Sequence, residues 1–148
     1  MVPERIEREI LIQAPLEVVW AVVTEPEHVG GWFSDSATID LRPGGETILV
    51  WDDHGTSHGR VVSVEPPTYF AFRWMRGPDR GYREGNSTLV EFSLTAEGEG
   101  TRLRVVESGF RDIDGSDSDK ARSAEENRRG WKHELGELRD YVTELVAR

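Results

Sequence analysis

The chain has 148 residues, of which 18 are basic and 28 acidic, so its net charge is -10, and it contains no cysteine. Without a basic cluster clear of neighbouring acids, neither nucleic acid nor an anionic membrane is an expected partner. The lack of cysteine excludes disulfides and thiolate chemistry and fits a cytoplasmic location. Neither a signal-peptide core nor an apolar run of ~18 residues is present. We expect a single domain over residues 1–148.

The first part of the chain predicts one strand and two short helices. Apolar and charged residues alternate from Ile6 to Ile12, which is typical of a strand with one buried side. Pro15 ends this strand and begins a short amphipathic helix. Thr24 to Glu27 fits a capping box, which predicts a second short helix that reaches Gly30-Gly31-Trp32-Phe33.

From residue 37 to residue 107 the sequence is typical of strands separated by turns. Six strands are predicted: Ala37 to Leu41, Glu46 to Trp51, Gly55 to Val64, Tyr69 to Met75, Ser87 to Thr95, and Thr101 to Ser108. All the connections but the one from Arg76 to Asn86 are short, which favours antiparallel neighbours. Alternation places Phe72 and Trp74 on one side of their strand, and Glu107 on the inward side of the last strand if the strand persists that far.

The C-terminal part predicts a long amphipathic helix from Ala124 to Val146. One apolar stripe follows helical spacing: Trp131, Leu135, Leu138, Val142 and Leu145. Two capping boxes offer a start, one at Ser123 and an earlier one at Ser116, and the sequence leaves both open. Gly130 and Gly136 each cost about 1 kcal/mol relative to alanine, so we expect a close approach of another element beside the tryptophan of the stripe.

Short phrases spread over nearly the whole chain carry a family resemblance. They are Ile12-Gln13-Ala14-Pro15 with Val18-Val19-Trp20, Gly31-Trp32-Phe33, Pro43-Gly44-Gly45, Gly59-Arg60-Val61 through Pro66-Pro67, Phe72-Arg73-Trp74, Val106 to Phe110, and Gly130-Trp131 ahead of Leu135. In this order they resemble the helix-grip superfamily, which includes START-type lipid-transfer domains and pollen-allergen-like proteins. Within it, the chain is similar to the branch named after the activator of the ninety-kilodalton heat-shock chaperone ATPase.

The resemblance implies an α+β fold with a ligand cavity. A seven-stranded antiparallel sheet would wrap around the long C-terminal helix, with two short helices between strands 1 and 2 and a cavity between sheet and helix. Aromatic residues line the cavity in that fold, although core packing explains the same residues equally well. The predicted ligand-binding residues are Trp32, Trp51, His58, Arg60, Phe72, Trp74, Glu107, Trp131 and Leu135.

Glu107 is the most informative polar residue of this set. On the inward side it would be a polar anchor or an acid with a raised pKa; at a strand end it would simply be solvated. His58 and Arg60 lie in phase with Val62 and Val64, so we consider a pairing of either with Glu107 across the cavity.

No metal or cofactor site is predicted. Asp52, Asp53, His54 and His58 are better explained as a hairpin tip. The acids from Asp112 to Asp119 fail the EF-hand template, because Gly115 stands at the fourth place and Ser123 where the bidentate glutamate belongs.

Three functions remain open. The first is binding of a small apolar or aromatic ligand in the cavity by a monomer or homodimer. The second is interaction with a chaperone ATPase, although the sequence covers only the helix-grip domain and lacks the additional N-terminal domain that the resemblance associates with chaperone contact. The third is a cyclase or hydratase that uses Glu107 and His58 as acid and base.

Overall fold

The fold is an antiparallel sheet with three helices, in a computed structural model that describes residues 2–53, 55–75 and 84–147. The strands are β1 (Arg5–Ile12), β2 (Ser36–Ile39), β3 (Glu46–Trp51), β4 (Gly55–Glu65), β5 (Tyr69–Met75), β6 (Ser87–Glu97) and β7 (Gly100–Ser108). The helices are α1 (Leu16–Thr24), α2 (Pro26–Trp32) and α3 (Asp117–Val146), and 3-10 turns lie at Glu84–Asn86 and Phe110–Asp112. The predicted α+β class and the order of elements are confirmed.

The strand order of the sheet explains why two helices precede β2. The order is β1-β7-β6-β5-β4-β3-β2, and every neighbouring pair is antiparallel. β1 and β2 therefore form opposite edges, and α1 and α2 carry the chain from one edge to the other. The inner face of the sheet buries Phe70, Phe72, Val90, Phe92, Leu103 and Val105. The predicted apolar stripe of α3 packs in the same core.

β4 contains a bulge that changes which of its residues face α3. Its pairing with β5 shifts between Val61 and Ser63, so Val62 points outward and is 45% exposed. Before the bulge the inward residues are Val61 and Gly59. A Cβ on Gly59 would lie 2.1 Å from the backbone oxygen of Arg73, which is closer than any side chain permits. Glycine at this position therefore allows the two strands to approach as they do.

The helix starts differ in part from the predictions. α3 uses the earlier start, since the Ser116 hydroxyl accepts a hydrogen bond from the Asp119 amide and the Asp119 carboxylate accepts one from the Ser116 amide. Ser123 is buried instead. The capping box predicted at Thr24 is wrong: the Thr24 hydroxyl donates to the Trp20 carbonyl oxygen at 2.7 Å within α1. Among the described residues, no helix is both long and apolar enough to cross a membrane.

The expected close approach at the helix glycines is not found. Apart from the chain neighbours and the nearby backbone of α3 itself, no described atom lies within 4 Å of a Cβ built on Gly130 or Gly136. The close approach occurs instead at Gly31 of α2, where a Cβ would lie 2.6 Å from the ring of Tyr141. The glycine that brings two helices together is therefore in α2 and not in α3.

We predict opposite effects for two glycine-to-alanine substitutions. Gly130→Ala should raise the free energy of unfolding by about 0.5 to 1 kcal/mol, because it reduces the backbone freedom of the unfolded chain without a clash. Gly59→Ala should lower it, because the new methyl group meets the Arg73 carbonyl oxygen. Urea denaturation followed by circular dichroism measures both changes, and a destabilised Gly130→Ala would contradict the open surroundings of that position.

Candidate functional site

The centre of the site is the side chain of Glu107, which is fully buried on the inner face of β7. Its carboxylate accepts hydrogen bonds from two indoles, Trp74 Nε1 and Trp131 Nε1, both at 2.9 Å. The Thr88 hydroxyl donates at 2.5 Å, and the Asn127 amide donates to both carboxylate oxygens at 3.1 Å. These donors come from β5, β6 and α3, so one buried group joins three elements to β7.

The composition of this donor set matters for the chemistry of Glu107. All four partners are neutral, and each donates, which suits an ionised carboxylate because that group only accepts hydrogen bonds. A buried carboxylate is tolerated when its oxygens are fully hydrogen-bonded. Of the two alternatives left open for Glu107, the inward position is therefore the correct one, and its oxygens are occupied by the protein itself.

The predicted pairing of Glu107 with His58 or Arg60 is wrong. His58 lies opposite Ile48, and Arg60 lies opposite Glu46 of β3, on the outer face of the sheet. The bulge after Val61 breaks the alternation on which the prediction rested. His58 and Arg60 therefore do not line the space between sheet and α3. His58 and Glu107 occupy opposite faces, so they cannot act as an acid and base on one substrate.

Phe33 fills an aromatic slot beside this network. Its ring lies 5.4 Å from the Trp131 ring at an interplanar angle of 6° and 5.7 Å from the Trp74 ring at 22°. The Trp51 ring meets it edge-on at 5.4 Å, and Trp51 Nε1 donates to the Phe33 carbonyl oxygen at 2.9 Å. The Trp74 and Trp131 rings also contact each other, at 5.8 Å and 26°, so these two rings and the Phe33 ring form a triangle. We call the place that the Phe33 ring occupies against these three indoles the aromatic slot. Phe33 is only half-buried in it, at the end of α2.

The remaining predicted residues surround the slot. Trp32 is buried and donates from Nε1 to the Val22 carbonyl oxygen at 2.9 Å. Phe72 lies beneath the slot, since its ring packs edge-on against Trp74 at 5.7 Å. Leu135 is buried in the core one turn after Trp131. The structure thus brings together seven of the nine predicted side chains and leaves out His58 and Arg60.

The cavity implied by the resemblance is nearly filled in the part of the chain that the structure describes. An apolar cavity of about 20 Å³ lies between α2 and the sheet, with Val29, Phe33, Thr47 and Phe72 among its walls. That volume holds about one water molecule, whereas ligand pockets measure roughly 300 to 1,000 Å³. The side chains of the slot therefore act as core residues as the protein stands.

Contacts between α2 and α3 hold Phe33 in place. His28 Nδ1 and the Tyr141 hydroxyl are 2.8 Å apart and share a hydrogen bond, and their rings meet edge-on. Gly31 leaves room for the Tyr141 ring. The position of Phe33 therefore depends on how α2 docks against α3.

Three buried side-chain oxygens have no hydrogen-bond partner within the described ranges: Thr47 Oγ1, Ser57 Oγ and Glu134 Oε2. Burial raises the pKa of Glu134 to about 7, nearby His133 opposes the rise, and Glu137 adds to it. Glu134 lies one turn after Trp131 on α3. Unpaired buried oxygens are uncommon in proteins, so each indicates strain or a missing partner.

Four residues of the site were not predicted as site residues. Phe33, Thr47, Thr88 and Asn127 complete it. Asn127 stands four residues before Trp131, so helical spacing alone could have placed the two on one side of α3. The others carry no local signal, because their roles depend on contacts between distant strands.

No group of three or more metal-ligating side chains is found in residues 2–53, 55–75 and 84–147. His54, one member of the hairpin tip considered above, lies outside these residues.

We predict that Glu107→Gln lowers the free energy of unfolding by about 1 to 3 kcal/mol. The substituted amide nitrogen would face an indole N–H or another donor, so at least one buried donor would lose its acceptor. Urea denaturation measures the change. Glu99→Gln, at an exposed position in the β6–β7 hairpin, serves as the control, and equal stability of the two variants would contradict the role of Glu107.

The raised pKa of Glu134 predicts that the free energy of unfolding depends on pH. Its pKa rises from the usual 4.5 to about 7 on folding. Between these values the unfolded chain binds fewer protons than the folded one, so this group lowers stability as the pH rises from 4.5 to 7. Glu134→Gln should therefore be more stable than the wild type at pH 8 and lose this slope, as measured by urea denaturation at several pH values. The control is Glu126→Gln, at an exposed position of α3, which should keep the slope. A wild type whose stability does not fall between pH 4.5 and 7 would refute the raised pKa of Glu134.

Several solved structures share this fold. Protein BH1534 from Bacillus halodurans is 28% identical, with a TM-score of 0.75 over 96% of this chain and 99% of that one. PFC0360w, an HSP90 activator from Plasmodium falciparum, is 17% identical, with a TM-score of 0.74 over 95% of this chain and 97% of that one. DynU16, from the dynemicin biosynthetic locus, is 24% identical, with a TM-score of 0.76 over 95% of this chain. This chain spans about half of the DynU16 chain, since it covers 48% of it.

No curated protein matches the chain in sequence. The family model described as "Activator of Hsp90 ATPase homolog 1-like protein" matches residues 13–143, a range that includes the Glu107 network and the whole aromatic slot. This match confirms the resemblance drawn from the short sequence phrases. The chain therefore belongs to the family of activator of Hsp90 ATPase homolog 1-like proteins.

Proposed function

We propose that the chain binds a small, planar, largely apolar ligand in the aromatic slot, in the place that Phe33 occupies in the free protein. The observation that carries this proposal is the orientation of three rings. The Phe33 ring packs against those of Trp131 and Trp74 and is close to parallel with both, while the two indoles also contact each other at 5.8 Å. A planar ligand would make the same stacking contacts, which are worth about 0.5 to 1.5 kcal/mol per aromatic pair beyond burial.

The location of Phe33 in the chain supports its displacement. It is the C-terminal cap residue of α2, a helix of seven residues, and its side chain is half-buried. The helix contains Gly30 and Gly31, which give its end more backbone freedom than other residues would. Binding would require only that the end of α2 move, while the sheet and α3 keep their places. The ligand affinity would be reduced by the fraction of molecules in which the slot is closed.

The proposal assigns different roles to the predicted site residues. Trp74 and Trp131, which contact each other, supply adjacent surfaces for stacking, Trp51 packs edge-on, and Phe72 lies beneath Trp74. Glu107 fixes both indoles through their ring nitrogens, so it acts as a positioning residue that does not touch the ligand. Trp32 and Leu135 support the slot from α2 and α3.

Tryptophan fluorescence of the wild-type protein tests the proposal. We expect saturable quenching by 2-naphthol, because the ligand would stack on the indoles of the slot. The wild type is the informative protein, since a variant that deletes Phe33 would gain an apolar cavity, and such cavities bind small apolar molecules whatever their function.

Replacing one tryptophan at a time shows where the quenching ligand binds. Trp51→Phe should reduce the quenched fraction, whereas Trp20→Phe, on α1 outside the slot, should leave the quenching of the other tryptophans intact. Absence of saturable quenching with 2-naphthol, fatty acids, sterols and aromatic polyketides alike would refute ligand binding. Equal effects of both substitutions would refute the location.

Action on a chaperone ATPase is the second candidate function. The family to which the chain belongs favours it, and so does the description of the Plasmodium falciparum neighbour as an HSP90 activator. At 17% identity that neighbour supports the fold alone, which is why this candidate ranks second. An ATPase assay with the chaperone and a saturating amount of the chain decides it, and an unchanged rate would exclude it.

A further inference from the structure

The inner face of the sheet carries two enclosed hydroxyl groups that have no hydrogen-bond partner in the described part of the chain. Thr47 is 3% exposed, and among the described residues its Oγ1 has no hydrogen-bond partner. The Oγ of Ser57 on the neighbouring strand is equally enclosed and equally unpaired. Leaving a buried hydroxyl unpaired costs free energy, so these two groups need an explanation.

Thr47 is exceptional among the buried threonines of the described chain. Thr24 donates to the Trp20 carbonyl oxygen, Thr88 donates to Glu107, and Thr101 donates to the Ala14 carbonyl oxygen at 2.8 Å. At each of these three positions, the buried threonine therefore makes a hydrogen bond. Valine has nearly the same shape and no hydroxyl to satisfy, so packing alone would favour valine at position 47.

The residues that carry these hydroxyls lie on β3 and β4, the two strands beside the small cavity that Phe33 lines. Thr47 lines the small cavity together with Phe33, and its cross-strand neighbours are Ile39 and Gly59. A Cβ on Gly59 would lie 2.7 Å from Thr47 Oγ1, so the missing side chain leaves that oxygen its space. Ser57 stands two residues before Gly59 in β4 and faces the same side of the sheet. It lies opposite Leu49, which also lines the cavity.

We infer that Thr47, assisted by Ser57, hydrogen-bonds a polar oxygen of the ligand once Phe33 leaves the slot. The ligand class is then narrower than planar and apolar: it is an aromatic compound that carries a hydroxyl or carbonyl oxygen on the edge that faces β3 and β4. This inference rests on the proposed function of the slot. A hydroxyl both donates and accepts, so it suits either kind of oxygen.

The experiment compares two probes that differ by one oxygen, naphthalene and 2-naphthol. Thr47→Val should weaken the binding of 2-naphthol about tenfold, the effect of one lost hydrogen bond, and leave the binding of naphthalene unchanged. Thr47→Ser keeps the hydroxyl and should keep the preference for 2-naphthol. The matched control is Thr38→Val, the same substitution at an exposed position of β2, which should change neither affinity.

Stability of the free protein gives a second readout. Thr47→Val should raise the urea midpoint, because it removes an unpaired buried hydroxyl; a purely structural role of that hydroxyl would lower the midpoint. Ser57→Ala should cause a smaller loss of 2-naphthol affinity.

The experiment distinguishes a failure of the proposed function from a failure of the role inferred for Thr47. If neither probe binds the wild type, the proposed function of the slot fails and this inference fails with it. If both probes bind and Thr47→Val leaves their affinity ratio unchanged, the inference alone is overturned.

Discussion

The structure depends on the burial of one carboxylate among neutral hydrogen-bond donors. Glu107 sits where sheet and α3 meet, and it can stay there only because Trp74, Thr88, Asn127 and Trp131 all reach it. Removing any of these donors would leave buried hydrogen-bonding capacity unused. Because two of the donors are indoles, the same interaction also fixes the spacing and tilt of two large flat surfaces. The aromatic slot is therefore a consequence of how Glu107 is satisfied.

This arrangement also limits the chemistry that the site supports. An acid or base must exchange its proton with a substrate, whereas both oxygens of Glu107 are engaged by the protein and fully enclosed. With His58 on the other face of the sheet, the cyclase or hydratase hypothesis loses its two named groups. The hydroxyls of Thr47 and Ser57 are different groups, which have no hydrogen-bond partner among the described residues and lie on neighbouring strands of the inner face.

A filled slot is compatible with the proposed binding function if the residue that fills it can move aside. Phe33 comes from the end of a short helix that docks on α3 through His28 and Tyr141, while the indoles belong to the sheet and α3. Under the proposed function, Phe33 would cover this apolar surface when no ligand is present. Exposing the indoles to water instead would be unfavourable, since they would present a large apolar patch.

The sequence by itself determined the elements and their order, and it predicted an inward Glu107 only if the last strand continues that far. These features follow from alternation and helical spacing, which depend on residues close together in the chain. The bulge in β4 escaped this reasoning, because one extra residue reverses the faces of His58 and Arg60 without disturbing the local pattern. Only the tertiary structure decided the partners of Glu107, which lie between 19 and 33 residues away in sequence, and the entry of Phe33 into the slot. Which side chains fill a space between distant elements is fixed by packing of the whole chain, and no local pattern encodes it.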